Sequence, residues 1–108
     1  MRKREVGLCQ ARHEMPVDEY IFGQIFYPND FVWQQRVADS FVADCKENNE
    51  HLYLYVTGLP MALASVIRAC YEQQVPLVLW HWDAKKKTYH PQYLFDGGET
   101  WKEDECSQ

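Results

Sequence analysis

"HLYLYVTGLPMALASVIRAC", His51 to Cys70, changes period halfway along. Leu52, Leu54 and Val56 alternate with Tyr53 and Tyr55, the two-residue repeat of a strand. Past the joint, Ala62, Leu63, Val66, Ile67 and Cys70 recur at helical spacing. Pro60 falls in the first turn of that helix, where its missing N–H costs nothing. Ala64, Ser65 and Ala69 keep another helix face slim enough for close packing. A strand passing through Thr57-Gly58-Leu59 directly into a helix is half of a βαβ unit, so this stretch sets the fold class as α/β.

The flanking sequence completes the pattern. Glu5 to Ala11 is apolar on both faces, as a buried strand is. Arg12-His13-Glu14 ends it. Met15 to Pro28 is aromatic and broken by Pro16, Gly23 and Pro28, and its "YIFGQIFY" suits a short hairpin or an irregular flap equally. Asn29-Asp30 supplies an N-cap for an amphipathic helix over Phe31–Glu47, with Val37, Phe41 and Cys45 inward and Ala38 and Val42 beside them. "ENNE" closes it. Val75 to Asp83 reads as a third buried strand, Asp83 to Lys87 as a hairpin loop, and Thr88 to Phe95 as a fourth strand that Pro91 places at an edge. Strand, helix, strand, helix, strand, strand predicts a compact Rossmann-like three-layer sandwich: a mostly parallel sheet with a C-terminal antiparallel hairpin. One domain spans residues 1–95, and residues 96–108, with five acidic side chains and Trp101, form a loosely held tail.

Composition narrows the function. The 108 residues are 46% hydrophobic and 25% charged, which suits one globular core. A net charge of −5 speaks against coating long DNA or RNA, which takes a basic surface to displace counterions. It leaves room for a small anion in a locally positive pocket. Met1-Arg2-Lys3-Arg4 is basic, but no apolar run follows it, and no run is long enough to cross a bilayer. A cytoplasmic protein without a membrane partner is expected. Cys9, Cys45, Cys70 and Cys106 form no C-x-x-C pair; the first three lie on apolar faces and read as small core residues, and their spacing speaks against a zinc site. No metal and no cofactor are expected. The chain lacks G-x-G-x-x-G after its first strand, a Walker lysine and a G-x-S-x-G elbow.

Ligands of open parallel sheets bind outside the carboxyl ends of the strands. Three predicted strands deliver Arg12-His13-Glu14, Thr57-Gly58 and His81-Trp82-Asp83 to that edge. Gly58 would let a phosphate approach the backbone, Thr57 adds a hydroxyl, and the helix beginning at Pro60 points its positive end there. A strand–glycine–helix turn is also a common plain connection, and His81, between two tryptophans, equally suits a packed sheet-face histidine. His51 and His90 read as superficial, Arg68 as a solvated helix residue, and Lys85–Lys87 as a wet loop.

"LYVTGLPMALASVI" resembles the strand–turn–helix signature of CRISPR-associated Rossmann-fold (CARF) domains, a strand running into Thr-Gly-Gly-Thr-Lys-Pro-Met and a small-residue helix. Val56-Thr57-Gly58 and Pro60-Met61-Ala62 fit it; Leu59 replaces the second glycine, and the Thr-Lys pair is missing. The layout is similar to that of small stand-alone proteins of type III CRISPR systems. This resemblance implies a homodimer, or a higher homo-oligomer, that binds a cyclic oligoadenylate in a two-fold pocket. Thr57, Gly58, Leu59 and Pro60, with His81 beside them, would bind the ligand. Arg12 would stabilise charge and His13 transfer a proton during metal-independent ring opening. A non-catalytic sponge for the same messenger is the first alternative. The second is an interaction subunit that uses the aromatics of Tyr20–Tyr27, Trp33, Trp80, Trp82 and Trp101.

Overall fold

A computed structural model describes residues 2–10, 15–23 and 27–96. The chain forms β1 (Arg2–Cys9), β2 (Tyr20–Phe22), α1 (Phe31–Glu47), β3 (Glu50–Tyr55), α2 (Pro60–Gln73), β4 (Leu77–Asp83) and β5 (Thr88–Phe95). They build one five-stranded sheet in the order β2-β1-β3-β4-β5. The first four strands run parallel and β5 returns antiparallel to β4. The α/β class and the C-terminal hairpin are as expected from the sequence, and β5 with Pro91 is an edge strand. Among the described residues, no helix is long and apolar enough to cross a membrane.

Both helices begin and end where their local chemistry says. Asp30 Oδ1 accepts the Trp33 amide at 2.9 Å and caps α1. Left-handed Asn49 (φ 57°) and the Asn48 side chain, which donates to the Asp44 carbonyl at 3.0 Å, close it. Pro60 opens α2, and Gln74 in the left-handed conformation ends it.

Among the described residues, no helix forms the expected third layer. Gln35 Nε2 donates to the Ser65 carbonyl at 3.0 Å, Gln73 Nε2 to the Asp39 carbonyl at 3.0 Å, and Lys46 Nζ to the Gln73 carbonyl at 2.6 Å. α1 and α2 therefore lie side by side on one face of the sheet. The reason is topological: β1 to β3 and β3 to β4 both step in the same direction, and like-handed crossovers that step the same way fall on the same side. The buried stripes Ala38, Val42, Cys45 and Ala62, Val66, Ala69, Cys70 pack on Val6, Leu8, Leu52, Leu54, Leu77 and Leu79. Each of these aliphatic side chains contributes ~1.5–3 kcal/mol by leaving water. The three thiols are core residues; burial pushes Cys9 up to about 11 and Cys45 to about 12, and raises Cys70 too. Such thiols stay protonated and inert. Cys106 lies outside the described residues, as do residues 97–108 of the expected tail.

On the other face, aromatic side chains pack on one another. Tyr55 stacks on Trp80 (6.0 Å between centroids) and meets Tyr89 edge-on (4.8 Å), and Trp82 leans on Tyr89 (5.0 Å). Residues before and in β2 also reach this face. Met15 and the Tyr20 ring sit over Gly7, where a Cβ would come within 2.5 Å of Tyr20 Cδ1 and 3.2 Å of Met15 Sδ. Only a residue without a side chain fits there.

Two differences from the sequence expectation concern the first third of the chain. β1 begins at Arg2 instead of Glu5 and stops at Cys9, because Arg2 through Gly7 pair with Glu50 through Tyr55 regardless of their polar side chains. Tyr20–Phe22 is a short strand parallel to β1, with Ile21 and Phe22 buried; residues 24–26 of the stretch read as a hairpin or flap lie outside the described residues. Arg4 holds this corner together. Its guanidinium meets Glu19 at 2.7 and 3.0 Å, Asp44 at 2.8 Å and Glu50 at 3.0 Å, and lies 4.7 Å over the Phe41 ring.

Gly7→Ala is expected to cost ~1–3 kcal/mol through overpacking against Tyr20 and Met15. In a Tyr20→Ala background the same change should cost markedly less; denaturant unfolding of the four proteins of this cycle measures the coupling.

Candidate functional site

The strand order places the site. From β1 the chain steps outward to β2, then returns across β1 to β3, so the direction of progression reverses at β1. In an open parallel sheet, such a reversal leaves a crevice at the carboxyl ends of the two strands involved. Here those ends are Cys9 of β1 and Tyr55 of β3. Both helices start on this side, since each follows or precedes a parallel strand and runs back along it. Arg12 and His13 come three and four residues after Cys9; they lie outside the described residues.

Thr57 and Gly58 follow β3 at the crevice. The Thr57 hydroxyl oxygen is buried and has no hydrogen-bond partner. A buried hydroxyl without a partner costs about 1–3 kcal/mol. Gly58 is exposed, and a Cβ built on it would meet nothing within 4 Å; its φ lies outside the left-handed region. Neither conformation nor crowding within the chain calls for glycine here, which leaves the backbone open to a close approach from outside.

Leu59 plays a different part from the one its position suggests. Its amide donates to the Thr57 carbonyl at 2.8 Å, closing the turn, and its side chain packs against the core. It therefore does not extend an amide cradle. As N-cap of α2 it offers no side-chain hydrogen bond to the helix start. Pro60 has no N–H, so Met61 and Ala62 provide the first-turn amides, and these carry the positive end of the helix.

His81 stands beyond the crevice. The last β3–β4 pair is Tyr55 with Trp80, so His81 to Asp83 continue with β5 as a two-stranded arm past the edge. His81 is exposed, with Nε2 2.8 Å from Gln92 Oε1; with that oxygen as acceptor, Nε2 carries the proton and Nδ1 is left to accept. It alternates with Leu77 and Leu79 on the helix side, whereas Trp80 and Trp82 turn to the aromatic side, so its two tryptophan neighbours in sequence do not enclose it. Asp83 builds the tip of the arm: Oδ1 accepts the Lys85 amide at 3.0 Å and the Lys86 amide at 3.2 Å, and Oδ2 lies 3.3 Å from His90 Nε2. The Lys86 amide above all, then the Lys85 amide and the His90 imidazole, holds its carboxyl below the ordinary value. Lys85–Lys87 are solvated, as expected, with Lys87 left-handed (φ 52°).

Two polar groups near this edge escaped the sequence reading. Gln34 is fully buried on the α1 stripe; its Nε2 donates to the carbonyls of Tyr27 (2.8 Å) and Pro28 (3.2 Å), tying the chain before the helix to its first turns, and its Oε1 has no partner. Position 34, four before Ala38, continues the inward stripe, and that was its only signal. Trp80 Nε1 is likewise buried without a partner in the aromatic cluster. In that cluster, burial raises Tyr55, with Glu5 and Tyr89 adding to it, and burial raises Tyr89, so both phenols remain protonated donors. Among the described residues, no three His, Cys, Asp or Glu side chains converge to hold a metal.

No protein-family model matches the chain, and neither a curated protein nor a solved structure matches it.

Thr57→Val replaces the unpartnered hydroxyl with a methyl, so its stability in a denaturant titration should equal or exceed that of the wild type, by up to ~1 kcal/mol. The arm provides a pH signature. Because Asp83 is depressed in the folded chain, its support of the turn is whole above pH ~4 and is lost as acid carries the pH through the lower folded value. Hydrogen exchange at the Lys85 and Lys86 amides should accelerate on acidification relative to the intrinsic rate, and Asp83→Ala should abolish that dependence.

Proposed function

We propose that this chain binds a cyclic oligoadenylate at the carboxyl edge of its parallel strands, as a homodimer, and opens the ring. The observation that carries the reading is the buried, unpartnered Thr57 hydroxyl, set beside the open Gly58 backbone and the start of α2 that no side chain caps. A phosphodiester supplies what this arrangement lacks: anionic oxygens that accept from the hydroxyl and sit at the positive end of a helix. The sequence resemblance to CARF domains supplies the class of phosphodiester. A two-fold ring of repeated nucleotides matches a turn presented twice by a symmetric dimer.

Ring opening proceeds by attack of a ribose 2′-hydroxyl on the adjacent phosphorus. The 5′-oxygen of the next nucleotide leaves and takes up a proton, and the products are a 2′,3′-cyclic phosphate and a free 5′-hydroxyl. The protein has to hold the hydroxyl in line and stabilise the extra negative charge. In this proposal Arg12 provides that charge stabilisation and His13 moves the proton, both following β1 closely in sequence. His81, held by Gln92, stands on the arm beside it as a further ligand contact. On this reading the protein switches off type III CRISPR signalling by removing its messenger.

Purified protein incubated with cyclic tri-, tetra- and hexa-adenylate in a chelator should shift one ring size on a native gel and convert it to linear products by chromatography. Thr57→Val should bind about tenfold more weakly while remaining as stable as wild type. Arg12→Ala and His13→Ala should keep their fold and lose conversion. Binding without conversion would make the protein a messenger sponge. No shift with any ring, or variants that change only the state of assembly, would overturn the nucleotide reading.

A further inference from the structure

The two helices carry a feature on their solvent side that the carboxyl edge does not use. α1 and α2 lie side by side, and a groove of about 590 Å³ follows their seam. The polar groups of its floor are satisfied within the chain. Gln35 Nε2 donates to the Ser65 carbonyl at 3.0 Å and to Asp39 Oδ1 at 2.9 Å, and the Ser65 hydroxyl donates to the Met61 carbonyl at 3.3 Å. A small polar ligand therefore finds little to bond there. One end of the groove is apolar: Phe31 is 61% and Val32 70% exposed, in a first helical turn without an acidic residue to meet the helix dipole.

Opposite its buried stripe, α1 carries a second one. Val32, Arg36, Asp39 and Ala43 recur at alternating steps of four and three residues, the spacing of a single helix face, and Val32, Arg36 and Ala43 are exposed. The Arg36 guanidinium has no partner among the described residues. Asp39 gives Oδ1 to Gln35, and among the described residues no donor reaches Oδ2. The stripe thus reads apolar, cation, anion, small apolar, a pattern that complements itself when reversed. The charges around it are committed or offset. Arg68 pairs with Glu72 at 3.4 Å, Lys46 offsets Glu47 beyond the end of the stripe, Arg4 holds Asp44, and Asp30 caps the helix.

We propose that this face joins two copies of the chain, α1 packing antiparallel on the second copy's α1 about a two-fold axis between Arg36 and Asp39. Each Arg36 then meets the Asp39 of the other copy, so two ion pairs form at once. Each Val32 lies on the other copy's Ala43, whose small side chain lets the backbones approach. α2 keeps step with α1, since Gln35 meets Ser65 near one end and Lys46 meets Gln73 near the other. The same axis therefore carries Phe31 toward the other copy's Tyr71, which is 65% exposed. A uniformly acidic or basic partner fits this face poorly, because either would meet a like charge along the stripe. The choice of two copies rests on the homodimer reading above; the face that joins them comes from the helix itself.

Sedimentation velocity of the full chain over a concentration series tests the face. Arg36→Asp and Asp39→Arg each set like charges against one another and should weaken self-association about tenfold or more. An equimolar mixture of the two variants, and the double variant, restore opposite charges at both contacts and should regain it to within about threefold. Val32→Glu, which leaves both charges in place, should also weaken it. Lys85→Glu on the distant β4–β5 loop changes net charge as Arg36→Asp does and should sediment like the wild type. Circular dichroism confirms that each variant is folded. A wild type monomeric at every concentration would overturn the proposal and assign the face to another occupant. So would a dimer that both single variants leave intact, or a loss that neither the mixture nor the double variant repairs. A native gel with cyclic tetra-adenylate separates this outcome from that of the nucleotide reading. A monomer that shifts sinks the pairing face alone, whereas a dimer that the single variants dissolve and the mixture restores upholds the face even where no ring shifts the wild type.

Discussion

The constraint on which the rest of this structure depends is that its two helical crossovers step in the same direction. Once β3 lies beside β1 and β4 beside β3, α1 and α2 have to share one face, and the main hydrophobic cluster gathers beneath them. The slim Ala/Ser face of α2 follows from this, since Ser65 is where α1 reaches across to hydrogen-bond the α2 backbone. So does the character of the opposite face, which among the described residues has no helix to limit its exposure. It limits exposure instead with aromatic side chains that pack on each other, with Met15 and Tyr20 over Gly7, and with the Lys3 ammonium 5.0 Å above the Tyr53 ring.

The same topology separates two regions with different chemistry. At the carboxyl edge, where the strand order reverses, the backbone is open, one helix start has no side-chain cap, and the Thr57 hydroxyl has no partner. These features favour an anion that brings acceptors. At the β2 corner the charges have the opposite sign. Arg4 is there to neutralise: its planar guanidinium satisfies Glu19 in two-pronged fashion and reaches Asp44 and Glu50 with the same nitrogen, joining β1, the approach to β2, α1 and β3. Arg2 lies 3.9 Å from Glu50 as well, so two cations serve the three carboxylates of this corner.

Much of this was written in local pattern. The period change at Thr57–Pro60, the Asp30 cap, the ends of α1 and α2, the buried thiols, the solvated Lys85–Lys87 loop and the edge position of β5 all rest on interactions within a few residues, and for these the sequence was sufficient. Function was legible to a lesser degree. Thr57 and Gly58 stood out as a turn suited to an anion, but that the hydroxyl is buried and unpartnered depends on what surrounds it in space. Leu59 was misjudged for the same reason, because its amide is consumed by a carbonyl two residues back. Gln34 is enclosed by packing that no local pattern specifies.

By itself, then, the sequence determined the two helices, the strands β3, β4 and β5 and which of their faces are apolar, because periodicity, caps and backbone preferences act over one or two turns of chain. The tertiary structure alone decided that both described helices lie on one face of the sheet, that Tyr20–Phe22 pairs with β1, and that β1 extends back to Arg2. It alone decided which polar atoms end without partners. These outcomes turn on the order of strands in the sheet and on contacts between residues as far apart as Arg4 and Glu50 or Gly7 and Tyr20, and no local pattern encodes which distant segment will supply a hydrogen bond or occupy a space.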